Sequence, residues 1–393
     1  MSWLKNIFGV DGKLFEKIES VVGVEIGTSS IKVVQLKKKL GKAVLETYGE
    51  IALGPYAGLE VGQPTNLPEE KIVEAMIDLL RESHVTTRAC ALSIPYGASL
   101  VTLLELPKVS DKELAAMIPL EARRYIPVPI GEVSLDWWVV PSIEGERDEP
   151  EEEEEKKPKN DGKQPLFGQP IQEQASNKPL KKIDVMVVAI HNDTLTRYRN
   201  IVKQAGLDAK FLELEIFSTI RAIIRNDMSL LAVVDFSAGN TKISIVERGV
   251  LRESHIVNRG SQDITQALSR GMGITVRQAE ELKRRFGLGM TPEGKEVRDT
   301  ALLTTDYIFS EINRVLLNYE KKHERVISKV VFTGAGATIN GFIDEAKKNI
   351  EAEVVGGDPF SKVEAPAFLE TILKEVGPDF AVSVGLALRA LQE

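Results

Sequence analysis

Glu25 and Lys32 lie seven residues apart around the bend Gly27-Thr28-Ser29-Ser30, within VVGVEIGTSSIKVVQLKKK at 21–39. Small side chains in such a bend let backbone amides converge on an anion, and the hydroxyls add donors. Lys32 adds a compact positive charge for a phosphate tail. Carboxylates cannot touch phosphate, but they can hold a hydrated magnesium ion that bridges to it. The same unit recurs in VVDFSAGNTKISIV at 233–246, where Asp235 ends a strand and Ser237, Ala238, Gly239, Asn240 and Thr241 make the bend. Two such hairpins facing one another would clamp a nucleotide tail, with Glu25 and Asp235 as the acids at the metal.

A third element follows in VVFTGAGATINGF at 330–342, an apolar strand leading into Gly334, Ala335, Gly336 and Ala337. Small residues there would let the backbone approach a flat base or ribose. The helix RQAEELKRRFG offers Glu280 for ribose hydroxyls and Lys283 near the adenosine, and Gly260 and Ser261 open the helix before it. Each element alone is a weak signal, because glycine-bearing bends after strands are common. The three together, in this order, are far more specific.

The chain that must position them has 393 residues, too many for one core, so two or more domains are expected. A net charge of −8 argues against a general nucleic-acid binder, which needs a basic face. One cysteine, Cys90, excludes a disulfide framework, and the four histidines fall at no metal-ligand spacing. No apolar run reaches the ~18 residues of a spanning helix, and the N-terminus lacks a secretory pattern. Trp3, Leu4, Ile7 and Phe8 would share one helical face, expected to dock on the protein itself. The chain is expected to be cytoplasmic.

Strands are expected at 21–26, 31–37 and 43–52, and a helix at 67–83 carries Ile72, Ala75, Met76, Leu79 and Leu80 at helical spacing. Ser110 and Glu113 form a capping-box signature for a helix running to about Tyr125. The segment 144–182 is acidic, then polar and proline-bearing, and composition predicts a disordered loop. KIDVMVVAI should resume the interrupted domain by pairing with the strand before the loop. Helices are expected at 212–226, 261–271, 275–286 and about 301–323, and a last one in DFAVSVGLALRALQ.

On these motifs the sequence resembles the actin-like ATPase superfamily, whose two phosphate loops and adenosine loop occur in this order. That implies an α/β, actin-like (ribonuclease H-like) two-domain fold with an inserted small α+β subdomain. By that resemblance, residues 1–97 and 191–226 form the first domain and 98–190 the insertion. Residues 227–260 and 330–378 form the second domain, 261–329 its helical subdomain, and 379–393 the closing helix. Ala381, Gly385 and Ala387 in that helix would permit close interdomain approach. EARRYIPVPIGEVSLDW, together with WLKNIFG, is similar to the PilM family within the FtsA/PilM branch.

The resemblance implies a cytoplasmic, inner-membrane-associated scaffold of type IV pilus assembly that binds ATP or ADP with Mg²⁺. It implies capture of the cytoplasmic N-terminal peptide of a PilN-like bitopic membrane protein, in a groove between the insertion and the first domain. Leu100, Val101, Leu103, Leu104, Tyr125, Ile126, Val128 and Ile130 could line it, although most read equally as the insertion's own core. Trp137 and Trp138 are adjacent in a strand, so one should face outward to a partner. Pilus motor ATPases and self-association are secondary expectations. Glu215 lies where bacterial actins have a catalytic glutamate, yet Ile216 replaces the usual proline. Glu25 for aspartate, Ser237 for glycine and Ala335 for the middle glycine also depart from the pattern. Slow or negligible hydrolysis is therefore expected. Rival readings are an FtsA-like division protein and a small-molecule kinase of the same superfamily.

Overall fold

The computed structural model describes residues 18–141, 181–225 and 228–392. The N-terminal aromatic segment and nearly all of the acidic insertion lie outside the described residues. The chain forms two compact units, one of Leu100–Ala189 and one made from the residues on either side of it.

The larger unit holds two five-stranded sheets of the same topology. The first has the order β3 (Lys42–Ala52), β2 (Ser30–Lys39), β1 (Ser20–Ile26), β4 (Ala89–Ile94), β8 (Asp208–Leu214). The second has the order β11 (Val250–Val257), β10 (Thr241–Glu247), β9 (Leu230–Phe236), β12 (Lys329–Thr333), β13 (Glu353–Gly356). In each, the first two pairings are antiparallel and the last two parallel. Even the irregularities match. Glu46 is the extra residue opposite Gln35/Leu36 in one copy, and Arg252 the extra residue opposite Ile245/Val246 in the other. The central strands β1 and β9 run almost wholly buried, as expected of strands covered on both faces.

Helices cover these sheets: α1 (Glu69–Glu82), α3 (Asn192–Gln204), α4 (Glu215–Ile223) and α10 (Ala381–Gln392) with the first, α5 (Ser261–Met272), α6 (Val276–Phe286), α7 (Lys295–His323) and α8 (Phe342–Asn349) with the second, and the short α9 (Glu370–Val376) before the last turn. Helix α10 is buried along nearly its whole length between β1 and α4. Its close approach needs absent side chains. A Cβ on Gly385 would fall 1.9 Å from the Ser218 carbonyl oxygen, and one on Gly23 would fall 2.0 Å from that of Ser383.

The smaller unit is a three-stranded sheet in the order β5 (Ser99–Pro107), β7 (Lys182–His191), β6 (Val133–Val140), with α2 (Asp111–Ala122) on one face. Strand β7 pairs with β6, the strand before the acidic insertion, as the sequence predicts. The capping box at the start of α2 is formed: the Ser110 hydroxyl accepts the Glu113 amide, and the Glu113 carboxylate accepts the Ser110 amide at 2.9 Å. Leu104, Leu106, Leu114, Ile118, Val185 and Val187 are its core.

Two expectations need correction. The segment 212–226 is not one helix: strand β8 runs to Leu214, and the helix starts only at Glu215. Pairing with β4 claims Phe211, Leu212 and Leu214, a short apolar run that periodicity cannot assign. Helix α7 begins at Lys295, a turn and a half before the expected 301, because polar residues there ride the solvent side of an already formed helix. Among the described residues no helix is long and apolar enough to cross a membrane.

Candidate functional site

The two bends are the same structure twice. Gly27 donates its amide to the Ser30 carbonyl at 2.9 Å, and Ser237 donates to the Asn240 carbonyl at 3.1 Å. Each closes its turn two residues after the acid. No hydrogen bond among the described residues uses the amides of Thr28, Ser29, Ala238 or Gly239. Those four donors, on small or hydroxyl residues, are what a phosphate-binding concavity requires. The bends also meet: a Cβ on Gly239 would lie 3.2 Å from the Thr28 hydroxyl.

The residues expected on the adenosine side gather around the second bend. Gly334 has φ +86°, and a Cβ there would lie 2.3 Å from Asp235 Oδ1. Gly336 sits over the Phe236 ring, where a Cβ would be 2.2 Å from the nearest ring carbon. Ala335 and Ala337 complete this turn of helix, and Ala337 is buried. Beneath the second bend, the amides of Ser261 and Gln262 donate to the Ser237 and Ala238 carbonyls, each at 3.0 Å, and Gly260 leaves room for them. On α6, Glu280 and Lys283 are buried and paired at 2.7 Å. Burial alone would raise the Glu280 pKa, but Lys283, the Thr265 hydroxyl and Arg284 hold it down to about 2. The two side chains satisfy each other here instead of standing open to a ligand.

The ionic residues deviate most from expectation. Glu25 faces Lys32 across the β1–β2 ladder, and Asp235 faces Lys242 at the same place in β9–β10. Yet Lys32 pairs with Asp379 at 2.8 Å. Asp379 and Glu25 together raise its pKa against the pull of burial. Glu25 is half-buried and its Oε2 has no partner, so burial, opposed by Lys32, pushes its pKa up to about 7. Lys242 lies 2.8 Å from Asp235 and 2.9 Å from Glu215, at the start of α4. Asp235 Oδ1 also accepts the Ser237 hydroxyl at 2.6 Å, and Glu215 Oε1 accepts the Tyr96 amide at 2.7 Å. Burial would raise the Asp235 pKa, but Lys242 and Ser237 bring it down.

Glu25 and Asp235 therefore do not fit a shared metal as the sequence reading had them, because an ammonium already holds Asp235. Glu215 likewise is not a free base. The Thr241 hydroxyl is buried and bonded to the Arg259 carbonyl at 2.8 Å, away from the bend. Lys242, Asp379 and Tyr96 are site residues that sequence reasoning missed. Only Lys242 carried a signal, standing seven residues after Asp235 as Lys32 does after Glu25. The loop after β3 was missed as well: the Thr65 amide donates to the Thr28 carbonyl at 3.0 Å, and Glu60 accepts the Arg277 amide of α6 at 2.9 Å.

In the smaller unit the eight groove candidates divide. Leu104 and Ile126 are core, and Leu100, Val128 and Ile130 pack against it. Val101 is half-buried, while Leu103 and Tyr125 are exposed, the latter five residues after the exposed Leu120. Trp137 packs against the core, and β5 and β6 are the edges of the described sheet.

The sequence profile of the family "Type IV pilus assembly protein PilM" matches residues 23–153 and 170–391. The chain belongs to the PilM family. A solved "PilM-PilN type IV pilus biogenesis complex" shares the fold at a TM-score of 0.75, with 20% identity over 96% of this chain and 100% of that one. The ethanolamine utilization protein EutJ from Carboxydothermus hydrogenoformans superposes at 0.51, with 15% identity over 97% of this chain and 92% of that one. The fold is actin-like. Among curated proteins, the cell division protein FtsA of Agrobacterium fabrum is 22% identical over 231 residues, 52% of this chain and 51% of that protein. The PilM-family chain thus spans about half the length of the curated relatives it matches.

Proposed function

We propose that this PilM-family chain is an ATP-binding actin-like scaffold of the type IV pilus inner-membrane assembly platform. On this reading it works at the cytoplasmic face, held at the membrane by partners. The observation that carries the nucleotide reading is the duplicated bend, with four unclaimed amides brought to one place from two sheets. A triphosphate laid between Thr28–Ser29 and Ala238–Gly239 would satisfy those amides and tie the sheets together. The base would lie toward Gly334–Ala337 and α6. The magnesium expected with ATP finds no open pair in Glu25 and Asp235, since Lys242 holds the latter, so the proposal is for the nucleotide itself. Glu215 is engaged by Lys242 and the Tyr96 amide, which favours binding with slow turnover.

The partner reading is that the smaller unit takes the cytoplasmic N-terminal peptide of a PilN-like bitopic membrane protein. An edge strand offers main-chain bonds and exposed apolar side chains offer pockets, the means by which extended peptides are captured. Leu103 on the edge strand β5 supplies both features, and Tyr125 adds a second exposed apolar side chain in the same unit. Calorimetric titration of the full chain with ATP, then with the N-terminal peptide of its PilN-like partner, tests the two halves separately. Heat from neither titration refutes the reading. Phosphate transfer to a sugar or acid panel would instead favour the kinase alternative, and sedimentation with lipid vesicles alone would favour an FtsA-like role.

A further inference from the structure

We propose that the Lys242 ammonium is the chain's own cation between Asp235 and Glu215, and that it excludes a divalent metal from that position. Its nitrogen lies 2.8 Å from one carboxylate and 2.9 Å from the other. The remaining oxygens are also taken, Asp235 Oδ1 by the Ser237 hydroxyl at 2.6 Å and Glu215 Oε1 by the Tyr96 amide at 2.7 Å. All four carboxylate oxygens therefore have a close donor, and all three charged side chains are almost completely buried. The β9–β10 ladder sets the lysine directly across from Asp235, and the two carboxylates hold its ammonium there.

A divalent cation would have to expel that ammonium and leave it buried beside a second positive charge, the costly way to break a buried pair. The first copy of the hairpin shows the contrast. Lys32 holds the equivalent register position but turns to Asp379, and Glu25 keeps an unpartnered oxygen. The two copies share a backbone and have diverged in where the lysine points. Lys242 also joins the sheets directly, since Glu215 follows β8 of the first and Asp235 ends β9 of the second. This deepens the nucleotide reading, on which its meaning for the site rests, by assigning Glu215 to an ion pair that denies it to water.

The test uses Mn²⁺ alone, so it succeeds or fails independently of nucleotide binding. Free Mn²⁺ is followed by electron paramagnetic resonance in titrations of the full chain as wild type, Lys242→Gln, and Lys242→Gln with Asp235→Asn. The expected result is Mn²⁺ bound at least about tenfold tighter by Lys242→Gln than by wild type, with the gain abolished in the double variant. A folded Lys242→Gln chain with no gain overturns the proposal. Wild type and Asp235→Asn are compared as well, in case Lys242→Gln does not fold: equal Mn²⁺ binding upholds the assignment, and loss of binding in Asp235→Asn overturns it.

Discussion

Thr28 and Gly239 sit at the tips of bends from two different sheets, and the missing side chain of Gly239 leaves room for them to come together. The ideal Cβ position at 239 is 3.2 Å from the Thr28 hydroxyl, a distance a methyl can absorb and a branched side chain cannot. Gly239 has no left-handed φ, so backbone strain does not enter. Gly239→Ala is expected to bind ATP within about threefold of wild type, and Gly239→Val at least about tenfold more weakly. Melting temperatures should hardly move, because the residue is exposed. Calorimetry on the pair checks the grading, and equal affinities would separate the bend contact from nucleotide binding.

Glu25 should make stability fall as pH rises. Its folded-state pKa lies near 7 against an ordinary 4.5 because burial disfavours the charged carboxylate. Between those values the folded chain holds more protons than the unfolded one, so each increment of pH costs stability, and above 7 the full penalty applies. Glu25→Gln removes it. The variant is expected to be more stable than wild type by about 2 kcal/mol at pH 8, a figure reduced for partial exposure, with no difference near pH 4. Denaturant melts at both pH values check this, and a variant weaker at pH 8 would contradict it.

The hairpins were legible because β-branched runs of period two flank bends of small residues, a local pattern that survives without tertiary knowledge. The capping box at Ser110 and Glu113 is likewise contained in four residues. Strand β8 was not legible: LELEIF suits a strand or a helix, and β4 decides between them. Ion partners were harder still. Nothing near Lys32 in sequence points to Asp379, because the final turn before α10 brings them together. Lys242 could have been read from its spacing, since the duplication that identified Asp235 applies equally to the residue seven positions on.

Gly385 on α10 should tolerate no side chain. A Cβ there would lie 1.9 Å from the Ser218 carbonyl oxygen, and α4 cannot retreat without opening the contacts of Ile220 and Ala222. Replacing glycine by alanine within a helix normally helps by up to about 1 kcal/mol. Here overpacking should outweigh that gain, and Gly385→Ala is expected to lose about 2 kcal/mol net. The equally crowded Gly23→Ala should behave alike, and a stabilised Gly385→Ala in denaturant melts would refute the packing argument.

Leu103 and Leu104 are neighbours on β5 with opposite fates, and they separate peptide capture from folding. Leu104 is 3% exposed within the core of the smaller unit, whereas Leu103 is 44% exposed. Leu104→Ala should cost about 2–5 kcal/mol of stability. Leu103→Ala and Tyr125→Ala should each change stability by less than about 0.5 kcal/mol, as surface substitutions do. If the PilN-like peptide lies along β5, those same two substitutions should weaken its binding at least about fivefold, with ATP affinity unchanged because the bends lie in the other unit. Peptide titrations on Leu103→Ala and Tyr125→Ala decide the matter: undiminished affinity in both would move the peptide to another surface and leave the nucleotide reading standing.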